Sequence, residues 1–227
     1  MDVGRSFAFV VDDKDWAVKI LIGAGILLAG ILFAWVLLVP LFAAVALLCG
    51  YSLEITRRVI HGEAQLLPEW KEWRAFLADG LKVMVITLVY ALPMIAVALL
   101  LGIPGGILQD SDSGVALAVG EFLSIISTLV SIAWGIILSF LLPAAIGLLA
   151  DRGNLAAAFR FGDVLGLVRR NLSTYLVTAL MSWVASLVGG LGKLACGVGW
   201  LATIPYSVMV TGHLYGQAYV LARGRAV

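Results

Sequence analysis

Long apolar stretches recur along this chain, and its basic residues are confined almost entirely to alternate gaps between them. Arg5, Lys14 and Lys19 precede the first stretch, and Arg57, Arg58, Lys71, Arg74 and Lys82 separate the second from the third. Arg152, Arg160, Arg169 and Arg170 separate the fourth from the fifth, and Arg223 and Arg225 follow the last. Of the fifteen Lys and Arg residues only Lys193 departs from this alternation. Basic loops are retained on the cytoplasmic side of a membrane. The pattern therefore predicts a multi-pass plasma-membrane protein with both termini and both long basic loops cytoplasmic. An even number of crossings satisfies it.

Composition agrees with that class. The chain is 62% hydrophobic and 13% charged, against roughly half and a quarter in soluble domains. A net charge of +1, with no basic stripe interleaved with aromatics, gives no case for nucleic acid. The Arg57–Arg58 and Arg169–Arg170 pairs flank apolar spans, where arginines anchor to lipid phosphates. Cys49 is expected inside one span and Cys196 at the opposite-face end of another, too far apart for a disulfide. CxxC is absent and the two histidines are distant in sequence, so neither a metal nor a cofactor is expected. The N-terminal segment carries four Asp and lacks a small-residue cleavage pattern, which predicts an uncleaved first anchor.

The block from Ile20 to Tyr51 would make a single helix about 48 Å long against a hydrocarbon core of roughly 30 Å. Two helices turning near Val36–Pro40 fit better, with one kinked helix as the alternative. The expected fold is all-α: six transmembrane helices in three hairpins, at about 20–36, 38–57, 81–102, 125–150, 175–191 and 200–222, forming one membrane domain. The run Gly102-Ile-Pro-Gly-Gly106 reads as a loop. Trp70, Trp73 and Leu77 share one helical face, as do Leu155, Ala158, Phe159, Gly162, Leu165 and Val168, with Asn154 as a cap. These segments, about 69–80 and 155–169, read as amphipathic helices in the cytoplasmic headgroup plane, with Trp70 and Trp73 as anchors. Trp35, Pro40 and Gly50 are spaced much like Trp200, Pro205 and Gly216, which suggests parallel repeats.

The blocks Gly50-Tyr51 … Arg57-Arg58-Val-Ile-His-Gly62, Pro68-Glu-Trp … Trp73 … Asp79-Gly80-Leu-Lys82 and Tyr90-Ala-Leu-Pro93 stand together, followed by Ala158-Phe-Arg-Phe-Gly162, Asn171 and Tyr175. This combination resembles a family of bacterial and archaeal multi-pass membrane proteins known only as a domain of unknown function. The resemblance covers nearly the whole chain. It implies a multi-span fold and supplies no catalytic residues.

Ionisable groups inside a membrane mark functional positions by default. The centre of the 200–222 span falls near Thr211, which puts His213 close to the midplane. Tyr90, Ser131, Ser182 and Thr211 are expected at the same level, and together they form the candidate polar ligand site. The competing reading makes His213 a packing residue, because Gly212-His-Leu-Tyr-Gly216 is a close-approach motif. Glu121 is expected in the outer headgroup zone, above a stripe of Ser124, Thr128 and Ser131. HExxH, GxSxG and Walker A motifs are all absent, so no catalytic residues are assigned and no enzyme is expected. The expected function is a non-enzymatic subunit, scaffold or lipid-binding protein. Its expected partners are membrane lipids and a protein in the membrane. The alternative is a transporter or permeation path for a small or amphiphilic molecule. Prolines 40, 93, 143 and 205 place breaks in four spans, which suits either reading.

Overall fold

A computed structural model describes residues 1–194 and 199–224, and these are all-helical apart from turns and loops. Cys196 and Arg225 lie outside the described residues. The helices are α1 (Val3–Ala8), α2 (Trp16–Leu32), α3 (Val39–His61), α4 (Trp73–Val97), α5 (Ile103–Gln109), α6 (Gly114–Arg152), α7 (Leu155–Ala158), α8 (Phe161–Arg170), α9 (Leu172–Leu191) and α10 (Trp200–Ala222). The chain divides into two compact units, residues 1–86 with 143–227, and residues 87–142. Among the described residues four segments are long and apolar enough to cross a membrane: Val39–His61, Trp70–Gln109, Gly114–Arg152 and Leu172–Leu194. Helix α2 is shorter at 17 residues. Helix α10 is long enough at 23 residues but carries Thr203, Ser207, Thr211, His213 and Gln217.

In the first unit α10 is the hub, packed against α1, α2, α3, α8 and α9. Its polarity follows from that position. A surrounded helix meets protein on every side, whereas lipid-facing helices must be apolar. Helices α2 and α3 are separate, joined by a tight turn in which Leu37 and Leu38 take positive φ, and Pro40 sits in the first turn of α3 where a missing N–H costs nothing. Side chains around this turn are outward: Trp35 is 80% and Leu37 88% exposed. Glycines permit close crossings. Gly50 of α3 meets the Phe76 backbone of α4, and Gly80 of α4 meets the Ala46 carbonyl, so the two helices run antiparallel with almost no space between them. The two halves of the suggested repeat use their glycines differently, since Gly216 faces α3 instead.

The expected interfacial helix at 69–80 is not a separate element. A single turn at Trp70–Glu72 leads directly into α4. Pro68 and Trp70 fold back onto α3: Tyr51 Oη donates to the Pro68 carbonyl at 2.9 Å, and Trp70 stacks on Tyr51 at 4.3 Å between ring centres. Phe76 closes edge-on against both rings. Trp70 Nε1 also donates to the Lys19 carbonyl of α2, whereas Trp73 is half-exposed. The second expected interfacial helix breaks at Phe159–Arg160 into α7 and α8. Asn154 caps α7 by accepting from the Ala156 N–H. Helix α8 is amphipathic, with Val164 and Val168 inward and Arg169 and Arg170 exposed.

In the second unit the Gly102–Gly106 run is helical, which corrects its reading as a loop. After α4 the backbone widens through one π-helical turn, Ala98–Gly102, and α5 begins with Pro104 in its first turn. Proline is tolerated there. The glycines serve helix contact: a Cβ at Gly105 would lie 2.6 Å from Ser124 Oγ of α6, and one at Gly102 would lie 3.0 Å from Ser127 Oγ. Gln109 Nε2 completes the seam by donating to Ser124 Oγ at 2.7 Å.

Candidate functional site

The polar residues around His213 are assembled by two docking events. The first is α10 on α3. Gly212 lies against the Ser52 carbonyl and Gly216 against Val59 and the Thr56 carbonyl. This close approach lets Ser52 Oγ donate to the Val208 carbonyl at 3.0 Å and Thr56 Oγ1 to the Gly212 carbonyl at 2.9 Å. The pairing of 52 with 208, 56 with 212 and 59 with 216 rises together, so α3 and α10 run parallel. His213 therefore stands level with Thr56, beside the charged end of α3, where Glu54, Arg57 and Arg58 lie. This level is set by the partner helix, on whose surface the register of α10 depends.

The second event is α1 on α10. Asp2 caps α1 by accepting from the Arg5 N–H at 2.9 Å. Its own N–H donates to Gln217 Oε1 at 3.0 Å, while Gln217 Nε2 donates to the Asp2 carbonyl at 3.2 Å. Ser6 Oγ pairs with His213 Nδ1 at 2.9 Å, and Phe9 stacks on the imidazole at 4.5 Å. Tyr206 Oη donates to the Phe7 carbonyl. His213 is 2% exposed and Ser6 is fully buried. Buried polar groups are costly unless satisfied, and here the partners stand 199 to 215 residues apart in sequence. No periodicity could have shown that. The amphipathic order Ser6-Phe7-Ala8-Phe9 was the only local signal.

Beside this network lies a cavity of about 420 Å³, bordered by Arg5, His61, Glu63, Leu66, His213 and Gln217. It is large enough for a small ligand. Of the other residues expected to join His213, Thr211 Oγ1 donates within its own helix to the Ser207 carbonyl, and Ser182 lies on α9. Tyr90 and Ser131 belong to the second unit, where the Tyr90 carbonyl accepts from Trp134 Nε1 at 3.0 Å. Of the polar stripe, Ser124 contacts Gln109 and Gly105 of α5, while Thr128 is exposed and donates within its own helix to the Ser124 carbonyl. Glu121 and Lys193 are exposed.

The basic residues fall into two groups. Arg57 bonds Glu54 and Asp79, the latter at 2.9 Å; Arg58 bonds Glu54 at 3.1 Å; Lys82 bonds Asp79 at 2.7 Å. Both arginines are held by carboxylates, and Arg57 fastens α3 to α4 through Asp79. Arg169 and Arg170 have no ion-pair partner among the described residues and are exposed. Lys19 is buried at 5% exposure, its ammonium donating to Asp13 at 2.6 Å and to the Leu67 carbonyl at 3.1 Å. Burial alone would raise the Asp13 carboxyl; the bond from Lys19 and the Asp15 N–H outweigh it and hold the group below its ordinary value. Among the described residues no group of His, Cys, Asp and Glu is arranged to hold a metal.

A family model described as "Protein of unknown function (DUF4013)" matches residues 33–198, most of the chain. No curated protein and no solved structure matches.

Proposed function

This chain belongs to the DUF4013 family, and we propose that it is a non-enzymatic integral membrane protein acting through its lipid-facing and cytoplasmic surfaces, as a lipid-binding scaffold or subunit. In this reading α2 and α10 complete three hairpins with the four longer apolar segments, and both termini are cytoplasmic. One observation carries the proposal. The side chains of Tyr206, His213 and Gln217 on α10 hold α1, and α10 backbone carbonyls take the hydroxyls of Ser52 and Thr56 on α3, while large apolar side chains such as Leu21, Leu100, Phe122 and Leu187 are exposed. A helix hub spent on packing suits a scaffold better than a pathway. The unpartnered cations of α8 lie where anionic lipid would meet them.

The test is extraction from native membranes in mild detergent, followed by native mass spectrometry. Retained phospholipid or a stoichiometric partner protein is expected. Emergence of the protein alone would overturn the proposal. The cavity bordered by His213 favours one second reading, a binding site for a small polar solute on a transport path. That reading requires flux in proteoliposomes that His213→Ala abolishes without lowering thermal stability.

A further inference from the structure

A second cavity, of about 310 Å³, lies between the end of α6, the face of α8 that carries Gly162 and Gly166, and the end of α10. Arg152, Arg170 and Arg223 line it, with Asp163 and the glycine pair Gly162 and Gly166. Two of these arginines are aimed by carboxylates. Arg152 bonds Asp163 at 3.1 Å, and Arg223 bonds Asp151 at 2.8 Å, a carboxylate that also accepts from Tyr219 Oη at 2.8 Å. A guanidinium has five N–H donors, so each keeps donors beyond its one carboxylate. Arg170 has no ion-pair partner among the described residues. Three arginines against Asp151 and Asp163 leave one net positive charge in the groove. A Cβ built on Gly162 or Gly166 would meet nothing within 4 Å, so the α8 wall is backbone with open space before it. Alongside, Phe161, Leu165 and Leu172 are exposed apolar side chains.

We propose that this groove binds the phosphate of an anionic phospholipid headgroup, with Arg170 as the principal contact, Arg152 and Arg223 as oriented donors, and the acyl chains leaving over Leu165 and Leu172. Guanidinium forks match phosphate oxygens in geometry and charge. Basic pockets between helices at the cytoplasmic face take anionic headgroups, and the exposed apolar side chains beside this one select a lipid over a free anion. The assignment rests on the membrane reading above and specifies where lipid is held.

The experiment compares nanodiscs containing phosphatidylglycerol with nanodiscs of phosphatidylcholine alone, counting retained lipid by native mass spectrometry. The wild type should retain phosphatidylglycerol preferentially. Arg170→Gln should reduce that retention about fivefold, the equivalent of about 1 kcal/mol. Gly166→Leu, which fills the groove and leaves every charge in place, should reduce it to a similar extent. Both variants should melt within a degree or two of wild type, since neither site is packed. Undiminished retention in both variants would overturn the groove assignment while leaving the lipid-binding reading intact. Absence of lipid on the wild type would overturn both. Displacement of the lipid by millimolar inorganic phosphate, which then protects the groove equally well, would assign the site to a free anion and refute the lipid.

Discussion

Replacing Gly212 by alanine tests the register of α10 on α3 directly. The new Cβ would stand 2.5 Å from the Ser52 carbonyl oxygen and 2.8 Å from Ser52 Oγ. A carbon and a carbonyl oxygen in contact need about 3.3 Å, so the helices must part by about 0.8 Å. That displacement stretches the Thr56 Oγ1 to Gly212 bond from 2.9 Å and the Ser52 Oγ to Val208 bond from 3.0 Å, each to about 3.7–3.8 Å, beyond hydrogen-bond range. Two interhelical bonds lost in a bundle cost about 0.6 kcal/mol each on average. Overpacking adds about 1–3 kcal/mol, and better helix propensity returns up to about 1 kcal/mol. The net expectation is a loss of about 1–4 kcal/mol. Reversible unfolding by graded denaturing detergent in micelles measures it, with Gly135→Ala as control, because a Cβ there meets nothing within 4 Å. The control should be neutral or slightly stabilised. If Gly212→Ala is as stable as the control, the close parallel seam between α3 and α10 is refuted.

Asp13→Asn strands the buried Lys19 ammonium and should cost about 3 kcal/mol, and the double change with Lys19→Met should recover much of it; both are read from melting curves. The lowered Asp13 value also fixes a sign. Its stabilisation is present above the ordinary carboxylate range, near pH 4, and is lost as pH falls through the lower folded value, so wild type should lose its advantage over Asp13→Asn in acid. His213→Ala should release α1, seen as faster amide exchange across residues 3–9 and a stability loss of about 2 kcal/mol; unchanged protection there would disprove the docking of α1. Trp70→Ala should cost about 3 kcal/mol while the exposed Trp73→Ala stays within about 0.5 kcal/mol, and equal effects would argue against the Tyr51–Trp70–Phe76 cluster.

Much of the local structure was legible in the residues themselves. The helix at Trp200–Ala222, the cap at Asn154, the turn between α2 and α3 and the close-approach role of Gly212 and Gly216 all follow from short-range chemistry: apolar length, a side chain able to accept from its own backbone, and a missing Cβ. The chemistry of Gly102–Gly106 was ambiguous at that range. Glycine and proline end a helix in water, yet here they begin one and let it seat on Ser124 and Ser127 of α6.

The sequence by itself determined that the chain is helical, that its long segments are apolar enough to span a membrane, and that its cations alternate between gaps. Tertiary structure decided which polar residues meet. It brought Ser6, Phe9 and Asp2 to His213 and Gln217, locked Arg57 and Arg58 into carboxylates while leaving Arg170 open, and gathered three arginines around the glycine face of α8. The physical reason is range. Helical periodicity and capping are set by neighbours within a few positions, whereas depth, partner and register come from surfaces joined across the chain.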